Sequence, residues 1–299
     1  MTRSGSKPAR DNERGMILVN VLMFVAIASG LVLLMIDREE LALDRALRTR
    51  EAARAQAVVR GGELSALVAL RRDAAEQPDF DAASEPWGAL SESGAPIEGG
   101  SFDLAIADAE GRFNLNTLMG GQAAPVILFQ EIARTVGLDD DQTLKAIGYI
   151  RAAGPVTDLR PLRFAGLDAA KLAQLHGLVT ALPGETAINL NAASPEMLAL
   201  LFRDPVVADR LVRTRERQGQ LTVKDLTDQN VTMPPGTSFR SNSFWVRTRA
   251  TIGDTVQQGA TLIQRRQQDD SATIAALPVE RWWNAAVPPD APDFAPKAR

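Results

Sequence analysis

The sequence predicts an α+β protein that contains a long N-terminal membrane-spanning helix, an α/β platform, and a large all-α domain inserted into that platform. Three observations lead to this prediction. An uncharged apolar run near the N-terminus continues into an Ala- and Leu-rich stretch, strand-like alternation occurs at two distant places, and about 120 residues between them have helical periodicity. With 299 residues and 45% hydrophobic content, the chain is long enough to bury a sizeable core.

The first predicted element is a membrane span over residues 16–36, MILVNVLMFVAIASGLVLLMI, which contains no charged residue. A helix of about twenty residues rises about 30 Å, the thickness of the hydrocarbon core of a bilayer. The preceding residues 1–15 form a polar leader with more basic than acidic side chains, which favours a cytoplasmic N-terminus. The charged leader residues are Arg3, Lys7, Arg10, Asp11, Glu13 and Arg14.

The second predicted element continues the same helix to residue 73, because the segment is rich in Ala, Leu, Arg and Glu and lacks proline. Only Gly61 and Gly62 are expected to interrupt it. The apolar run passes directly into charged residues at Asp37, and its length exceeds that of a cleaved secretory signal, so we expect it to be retained. An apolar stripe is predicted at Leu41, Ala42, Ala46, Ala53, Ala57, Leu64, Leu67 and Leu70.

The third predicted element is a platform of residues 74–117 and 239–299, interrupted by an all-α domain of residues 118–238. Residues 77–100 are expected to be loop, and residues 101–108 and 112–118 alternate as an antiparallel hairpin. Strands are also expected at 243–252 and 259–265, followed by a loose proline-rich tail after Trp283. Helices are predicted at 126–136, 142–152, 168–179, 195–202 and 205–218, with Ser194 as an N-cap and Asp139 and Gln142 as a capping box.

The N-terminus resembles that of type IV pilins and pseudopilins, in which a polar leader ends in glycine immediately before the apolar helix. The resemblance implies that a prepilin peptidase cuts after Gly15 and that Met16 becomes the N-methylated first residue. The fifth mature residue is then Asn20, where most relatives carry a glutamate that is thought to neutralise the N-terminal ammonium of the adjoining subunit. A subunit without this carboxylate is best tolerated at the tip of a filament, and a plain signal anchor is the alternative.

Further strings resemble the K-type minor pseudopilins of type II secretion, the general secretion pathway protein K family. They are EGGSFDLAIADAEGRFNLNTL (98–118), LVTALP (178–183) and AINLNAASPEMLALL (187–201). The resemblance implies a pilin-like platform and a single-pass inner-membrane protein with a periplasmic body. It also implies a tip complex with I-type and J-type minor pseudopilins and other pseudopilus subunits, which primes pseudopilus growth and supports protein export. A minor pilin of a type IV pilus is the nearest alternative.

A DNA-binding module is a second alternative, because residues 188–226 resemble a degenerate helix-hairpin-helix with Arg210, Arg213 and Arg217 on one helix face. Its turn, however, contains Asp204 and Pro205 where such hairpins use glycines to approach phosphate. The net charge of −4 also disfavours a nucleic-acid partner. We therefore expect no nucleic acid to bind.

An enzyme is not predicted, because the chain has no cysteine, one tyrosine and one histidine, His176, on an apolar helix face. No phosphate-binding loop or nucleophile elbow occurs. No cofactor is predicted, although some relatives bind calcium and two acidic clusters offer oxygen ligands. These clusters are Asp139, Asp140 and Asp141, and Asp103, Asp108 and Glu110; turns and helix caps explain them first, so no metal site is assigned.

Overall fold

The computed structural model describes residues 10–77, 79–267 and 274–295. These residues divide into two compact units, one that ends at Arg54 and one that begins at Ala55. Helix α1 (Arg10–Glu76) is the element in which the division falls. The second unit contains a five-stranded antiparallel sheet and a block of shorter helices, so the predicted combination of a long apolar helix with a mixed helix and sheet body is confirmed.

The sheet has the strand order β1-β2-β7-β8-β9, and every neighbouring pair is antiparallel. Its strands are β1 (Glu92–Ile97), β2 (Gly100–Asp108), β7 (Ser243–Ile252), β8 (Thr255–Gln267) and β9 (Ile274–Trp283). Strands β2 and β7 are adjacent although far apart in sequence. The segment that joins them forms the helical block, as the alternation pattern at the two ends of the body predicts.

The C-terminal part of α1 packs on one face of this sheet. Ala55 and Val59 contact Ala250 and Ile252, and about two to three turns after Val59, Ala66 and Leu70 join a cluster around Phe244. At Gly62 a Cβ atom would lie 2.6 Å from the ring of Phe102. This glycine therefore lets helix and sheet approach closely.

Only some residues of the predicted apolar stripe of α1 lie on its buried face. Leu70 is buried and Leu67 is half-buried, but Ala53, Ala57 and Leu64 are exposed. Neither Gly61 nor Gly62 interrupts the helix, because tertiary packing over this segment outweighs the low helix propensity of glycine.

The helical block consists of two modules, each of which starts and ends with a two-residue strand. In the first module, β3 (Phe113–Asn114) pairs in parallel with β4 (Val179–Thr180), and in the second β5 (Ile188–Asn189) pairs in parallel with β6 (Thr237–Ser238). Between its strands, the first module has helices α2 (Ala123–Thr135), α3 (Asp140–Ala153) and α4 (Ala169–Leu175). The second module has α5 (Pro195–Phe202), α6 (Pro205–Gln218) and α7 (Val223–Asp228).

The predicted hairpin of residues 101–108 and 112–118 is wrong. Strand β2 pairs with β1 on one side and β7 on the other, and residues Leu115–Gly120 form a 3₁₀ turn. The Asn114 side chain starts this turn by accepting a hydrogen bond from the amide of Asn116. Burial of Phe113, Leu115 and Leu118 by the turn produced a spacing that resembled strand alternation.

Other differences from the predicted elements have local causes. Residues 92–97 form edge strand β1, which Gly94 and Pro96 obscured, and α4 ends at Leu175 because the chain turns into β4. Helix α7 and strand β9 were not predicted. Helices α5 and α6 and strand β7 have the predicted bounds, the Ser194 cap and Asp139 capping box are present, and β8 is longer than expected.

Residues 284–295 pack on the second face of the sheet, whereas a loose tail was predicted. Ala291 is buried in a cluster with Trp245 and Leu262. The ring of Phe294 lies 4.4 Å from the guanidinium carbon of Arg249. These contacts cover apolar sheet surface that would otherwise face solvent.

Candidate functional site

The predicted processing residues lie on consecutive turns of α1. Gly15, Met16 and Asn20 all fall within this helix, and the side chains of Met16 and Asn20, four residues apart, are exposed on one face. The helix contains an 18-residue window with a mean hydropathy of 2.7, none of it buried in the protein. Its length and composition are those of a membrane anchor.

A second feature of α1 is an exposed apolar seam opposite the sheet. It comprises Ala57, Gly61, Leu64, Val68 and Ala75, which recur at intervals of four, three, four and seven residues. Leu64 is 60% exposed and Val68 is 62% exposed, so large aliphatic side chains face outward on a helix whose other side is already packed. This spacing is typical of a helix that packs along another helix.

Each module of the helical block is held by the same pair of asparagines, separated by one leucine. In the first module, the side chain of Asn116 accepts a hydrogen bond from the amide of Val156 (2.9 Å) and donates to the carbonyls of Val156 and Leu182 (2.8 and 2.7 Å). In the second module, Asn191 accepts from the amide of Leu221 (2.6 Å) and donates over longer distances to the carbonyls of Leu221 and Phe239.

The first asparagine of each pair starts the turn, but its side-chain amide donates to different groups in the two modules. Asn114 and Asn189 each accept a hydrogen bond from the amide two residues later. Asn114 also donates to the carbonyls of Leu182 and Gly184. Asn189 instead donates to the carbonyl of Asp81 and the carboxylate of Asp108 (2.9 and 2.7 Å). The second module is therefore bonded directly to the platform.

The second module meets the platform at a cluster of acidic side chains around Arg265, which we call the acidic junction. Its acidic residues are Asp73, Asp81, Glu85, Asp108 and Glu110. Arg265 of β8 donates to Asp73 of α1 (2.6 Å) and to Asp81 of the following loop, and its guanidinium lies over the ring of Phe244. Asp81 also accepts a hydrogen bond from the amide of Ser241. One arginine thus joins the end of α1, the loop and the last part of the sheet.

Three carboxyl groups of the junction bind protons more tightly than usual. Burial, together with the charge of Asp73, raises the pKa of Glu85 to about 7. Burial raises the pKa of Asp108 to about 6, against the hydrogen bonds from Ser241 and Asn189. Burial and the neighbouring charge of Asp108 raise the pKa of Glu110 to about 7. The junction therefore carries less negative charge than its composition suggests.

Comparison with known proteins places this architecture in a family, although no family model matches the sequence. The type II secretion system protein K of Pseudomonas aeruginosa is 27% identical over 303 residues, which cover 86% of this chain and 90% of that protein. The protein of the same name from Klebsiella pneumoniae is 24% identical over 85% of this chain and 93% of its own length. These two relatives support a K-type minor pseudopilin.

The fold of this K-type pseudopilin also matches a solved structure. A chain in the crystal structure of the GspK–GspI–GspJ complex from the enterotoxigenic Escherichia coli type 2 secretion system superposes with a TM-score of 0.61. The match covers 80% of this chain and 99% of that chain at 18% identity. It shows that the sheet and the helical block form a known arrangement.

Four of the six residues considered for calcium have carboxylates that already bond to protein groups. Asp139 caps α3 and Asp141 pairs with Lys145, while Asp103 pairs with Arg249. Asp108 accepts hydrogen bonds from Ser241 and Asn189. At the acidic junction the positive group is Arg265 itself. These contacts use many of the oxygen atoms in the two clusters, whereas calcium takes six to eight oxygen ligands.

The predicted basic face of α6 is partly neutralised by acidic neighbours. Arg213 pairs with Asp209 (2.7 Å), and the groove along Arg210, Arg213 and Arg217 is also lined by Asp225 and Asp228. In the hairpin turn, the carboxylate of Asp204 accepts the amides of Val206 and Val207. The backbone donors that would approach a phosphate are therefore already bonded.

His176, considered as a catalytic base, lies beside the C-terminal segment. Its Nδ1 is 3.7 Å from the carboxylate of Asp290, which accepts a hydrogen bond from Arg112 (2.6 Å). Arg112 also donates to the main-chain carbonyl of His176. These contacts fasten the C-terminal segment to the helical block and supply no nucleophile.

Proposed function

We propose that this K-type pseudopilin is the tip subunit of a type II secretion pseudopilus, where it initiates assembly with I-type and J-type minor pseudopilins and supports protein export across the outer membrane. The observation that carries the proposal is the exposed seam of α1. A soluble body with a complete core has no internal use for Leu64 and Val68 at the surface of a helix that continues into an apolar anchor.

The seam defines the kind of partner that fits it. Its small residues Ala57, Gly61 and Ala75 leave room for the backbone of a second helix, and Leu64 and Val68 supply side chains that interdigitate with it. The related E. coli chain was crystallised together with GspI and GspJ. We propose that helices of the I-type and J-type subunits pack along this seam.

The N-terminal residues support the same placement. We propose that prepilin peptidase removes residues 1–15, that Met16 is N-methylated, and that the protein crosses the inner membrane once with its body in the periplasm. The mature N-terminus then carries Asn20 in place of an acid. Without that carboxylate, the subunit cannot pair with the ammonium of a subunit above it, which suits the tip position.

Processing is tested by intact-mass measurement of the protein isolated from its own membranes. We expect a mass that starts at Met16 and includes one methyl group, whereas Gly15→Leu should leave the full precursor because a bulky side chain replaces the glycine at the cut. A protein that starts at Met1, or after Ile36, would contradict the proposed processing.

The seam is tested by co-purification of the processed protein with the other minor pseudopilins. Leu64→Glu and Val68→Glu should each weaken the complex at least about tenfold, because each removes a buried aliphatic contact and adds a charge to the interface. The matched control is Gln56→Glu, which adds the same charge at an exposed position off the seam.

The partners that co-purify decide between the alternatives. Recovery of I-type and J-type pseudopilins supports the proposal, and recovery of type IV pilus subunits would assign the chain to a pilus. Unchanged complex formation by both glutamate variants would exclude the seam as the interface. DNA binding is not proposed, because Asp204 occupies the hairpin amides.

A further inference from the structure

The acidic junction contains buried carboxyl oxygen atoms that no hydrogen-bond donor reaches. Asp73, Asp81, Glu85 and Glu110 are all at least nine-tenths buried, and Asp108 adjoins them. Arg265 is the cation that reaches the group, through Asp73 and Asp81. A buried carboxylate without a donor is costly, so the placement of each donor decides which groups can be ionised.

The hydrogen bonds of Glu85 and Asp73 each use one carboxyl oxygen and leave the other without a donor. Glu85 accepts the amide of Ala82 (2.7 Å) and the indole N–H of Trp87 (3.2 Å) at Oε2. Asp73 accepts Arg265 at Oδ2. Glu85 Oε1 and Asp73 Oδ1 are buried and receive no donor, and the carboxyl groups of Asp73, Asp81 and Glu85 each place an oxygen within 4.8 Å of the others.

A single proton removes this conflict, because a protonated carboxyl becomes a donor to its neighbour. We propose that Asp73 and Glu85 share one proton, and that this shared proton helps to hold the second module of the helical block on the platform. We call the pair the proton latch. The inference concerns the fold of this chain and does not depend on the proposed role at the pseudopilus tip.

The link from the proton latch to the module runs through the loop that contains Asp81 and Glu85. The amide of Asp81 donates to the carbonyl of Phe239 (2.8 Å), and its carbonyl accepts Asn189 of the second module. Its carboxylate accepts the amide of Ser241, which leads into β7. Loss of the shared proton would place a second charge beside Asp73 and strain this loop.

The charged and titratable groups of the acidic junction come from four elements, and the charges of Asp73 and Asp81 both raise the pKa of Glu85. The end of α1 supplies Asp73, the loop supplies Asp81, the end of β2 and its turn supply Asp108 and Glu110, and β8 supplies Arg265. The acids outnumber the arginine, and burial is the largest cause that raises the pKa of Glu85 from 4.5 to about 7.

The raised pKa of Glu85 determines how the stability of the folded protein changes with pH. In the unfolded chain Glu85 loses its proton near pH 4.5, whereas in the folded protein it keeps the proton until about pH 7. Between these values the folded state binds more protons than the unfolded state, so stability falls as the pH rises. The contribution is present in full at low pH and is gone above the folded pKa.

The experiment uses the full chain in detergent micelles and follows the melting temperature of the body from about pH 5 to about pH 8. The wild type should lose on the order of 5 °C over this range. In Glu85→Gln the amide donates permanently to Asp73 while its oxygen keeps the Ala82 and Trp87 bonds. This variant should therefore melt with a clearly flatter pH profile, while the exposed control Glu92→Gln should follow the wild type.

Two further measurements keep the proposal testable if Glu85→Gln does not fold. Asp73→Asn should flatten the profile in the same way, because its amide can donate to Glu85 and its oxygen can accept Arg265. Hydrogen exchange should show that protection of the Asp81 and Ser241 amides in the wild type decreases as the pH rises. The same profile in wild type and both variants would overturn the proposal.

A metal ion is the other way to satisfy the two oxygens, and it gives a different result. Melting in excess CaCl₂ and in chelator should be the same if a proton occupies the pair. A large calcium-dependent rise in melting temperature, lost in Asp73→Asn, would replace the proton latch by a cation site and would also overturn the proposal.

Discussion

The two modules of the helical block use the same turn in different ways. Both begin with a two-residue strand and an Asn-Leu-Asn turn. In both, an arginine of the second helix of the module donates to carbonyl groups of the turn. Arg151 of α3 bonds to Leu118, and Arg215 of α6 bonds to the carbonyls of Leu190, Asn191 and Ala193. The modules therefore share a local architecture despite different helix lengths.

The difference lies in what the first asparagine binds. Asn114 closes its own module through Leu182 and Gly184, whereas Asn189 reaches the platform through Asp81 and Asp108. The first module is thus more self-contained at this turn, and the second shares its turn with the acidic junction. One short motif can therefore serve internal closure or attachment, depending on the groups placed beside it.

The largest expected effect comes from removing the second asparagine of each pair. Asn116→Ala should lower the free energy of unfolding by about 3 kcal/mol, because the amide and carbonyl of Val156 and the carbonyl of Leu182 lose short buried hydrogen bonds. Asn191→Ala should cost about 2 kcal/mol, since only its bond to the Leu221 amide is short. Urea unfolding of the full chain in detergent measures both values.

This measurement decides which of the two variants loses more free energy of unfolding. A larger loss for Asn191→Ala than for Asn116→Ala would show that the second module, despite its longer hydrogen bonds, is the one more dependent on its turn. Leu115→Met and Leu190→Met, which change the buried leucine of each turn at similar volume, serve as matched controls and should cost less than about 1.5 kcal/mol.

Removal of the first asparagine of each pair should have a smaller effect on stability, and the amides that it exposes should differ between the two modules. Asn189→Ala and Asn114→Ala should each cost about 1 to 2 kcal/mol, because each leaves buried carbonyl groups without a donor. Hydrogen exchange should distinguish them. Asn189→Ala should lower the protection of the Asp81 and Ser241 amides, and Asn114→Ala should lower that of Leu182, whose amide Asn114 accepts.

An exchange pattern common to both variants would contradict the division of roles. If Asn114→Ala also exposed the amides of Asp81 and Ser241, the two modules would open together and the first would not be the more self-contained one. Ser238→Ala, which removes a hydroxyl that accepts the amide of Arg240 at an exposed site, provides a control near the junction.

The sequence predicts those elements whose signals are local. The helices at 195–202 and 205–218 have both a proline at their first turn and an oxygen-bearing cap, Ser194 and Asp204, so their bounds agree with the prediction. Strand β7 also has the predicted bounds. Its burial alternates from Arg247 to Ile252, whereas its first four residues are all buried. The apolar anchor is equally local, since composition alone defines it.

The remaining features depend on distant residues. Strand β1 is a strand only because β2 lies beside it, and the string FNLNTL is a turn because Asn116 bonds to Val156, forty residues away. The acidic junction combines Asp73 with Arg265, at the two ends of the body, and no spacing pattern can reveal that pair. Which side of α1 is buried likewise depends on where the sheet lies, so the sequence of the helix alone does not predict it.

The position of the helical block between β2 and β7 has a consequence for the newly made chain. Strand β2 leaves the ribosome long before β7, its main neighbour, and Arg265 follows later still. Contacts of such wide sequence separation form slowly. The two modules can therefore compact while β2 and the sheet side of α1 still lack their partners, and the platform closes late. During that delay the strands of the nascent platform have unpaired edges, which favour aggregation.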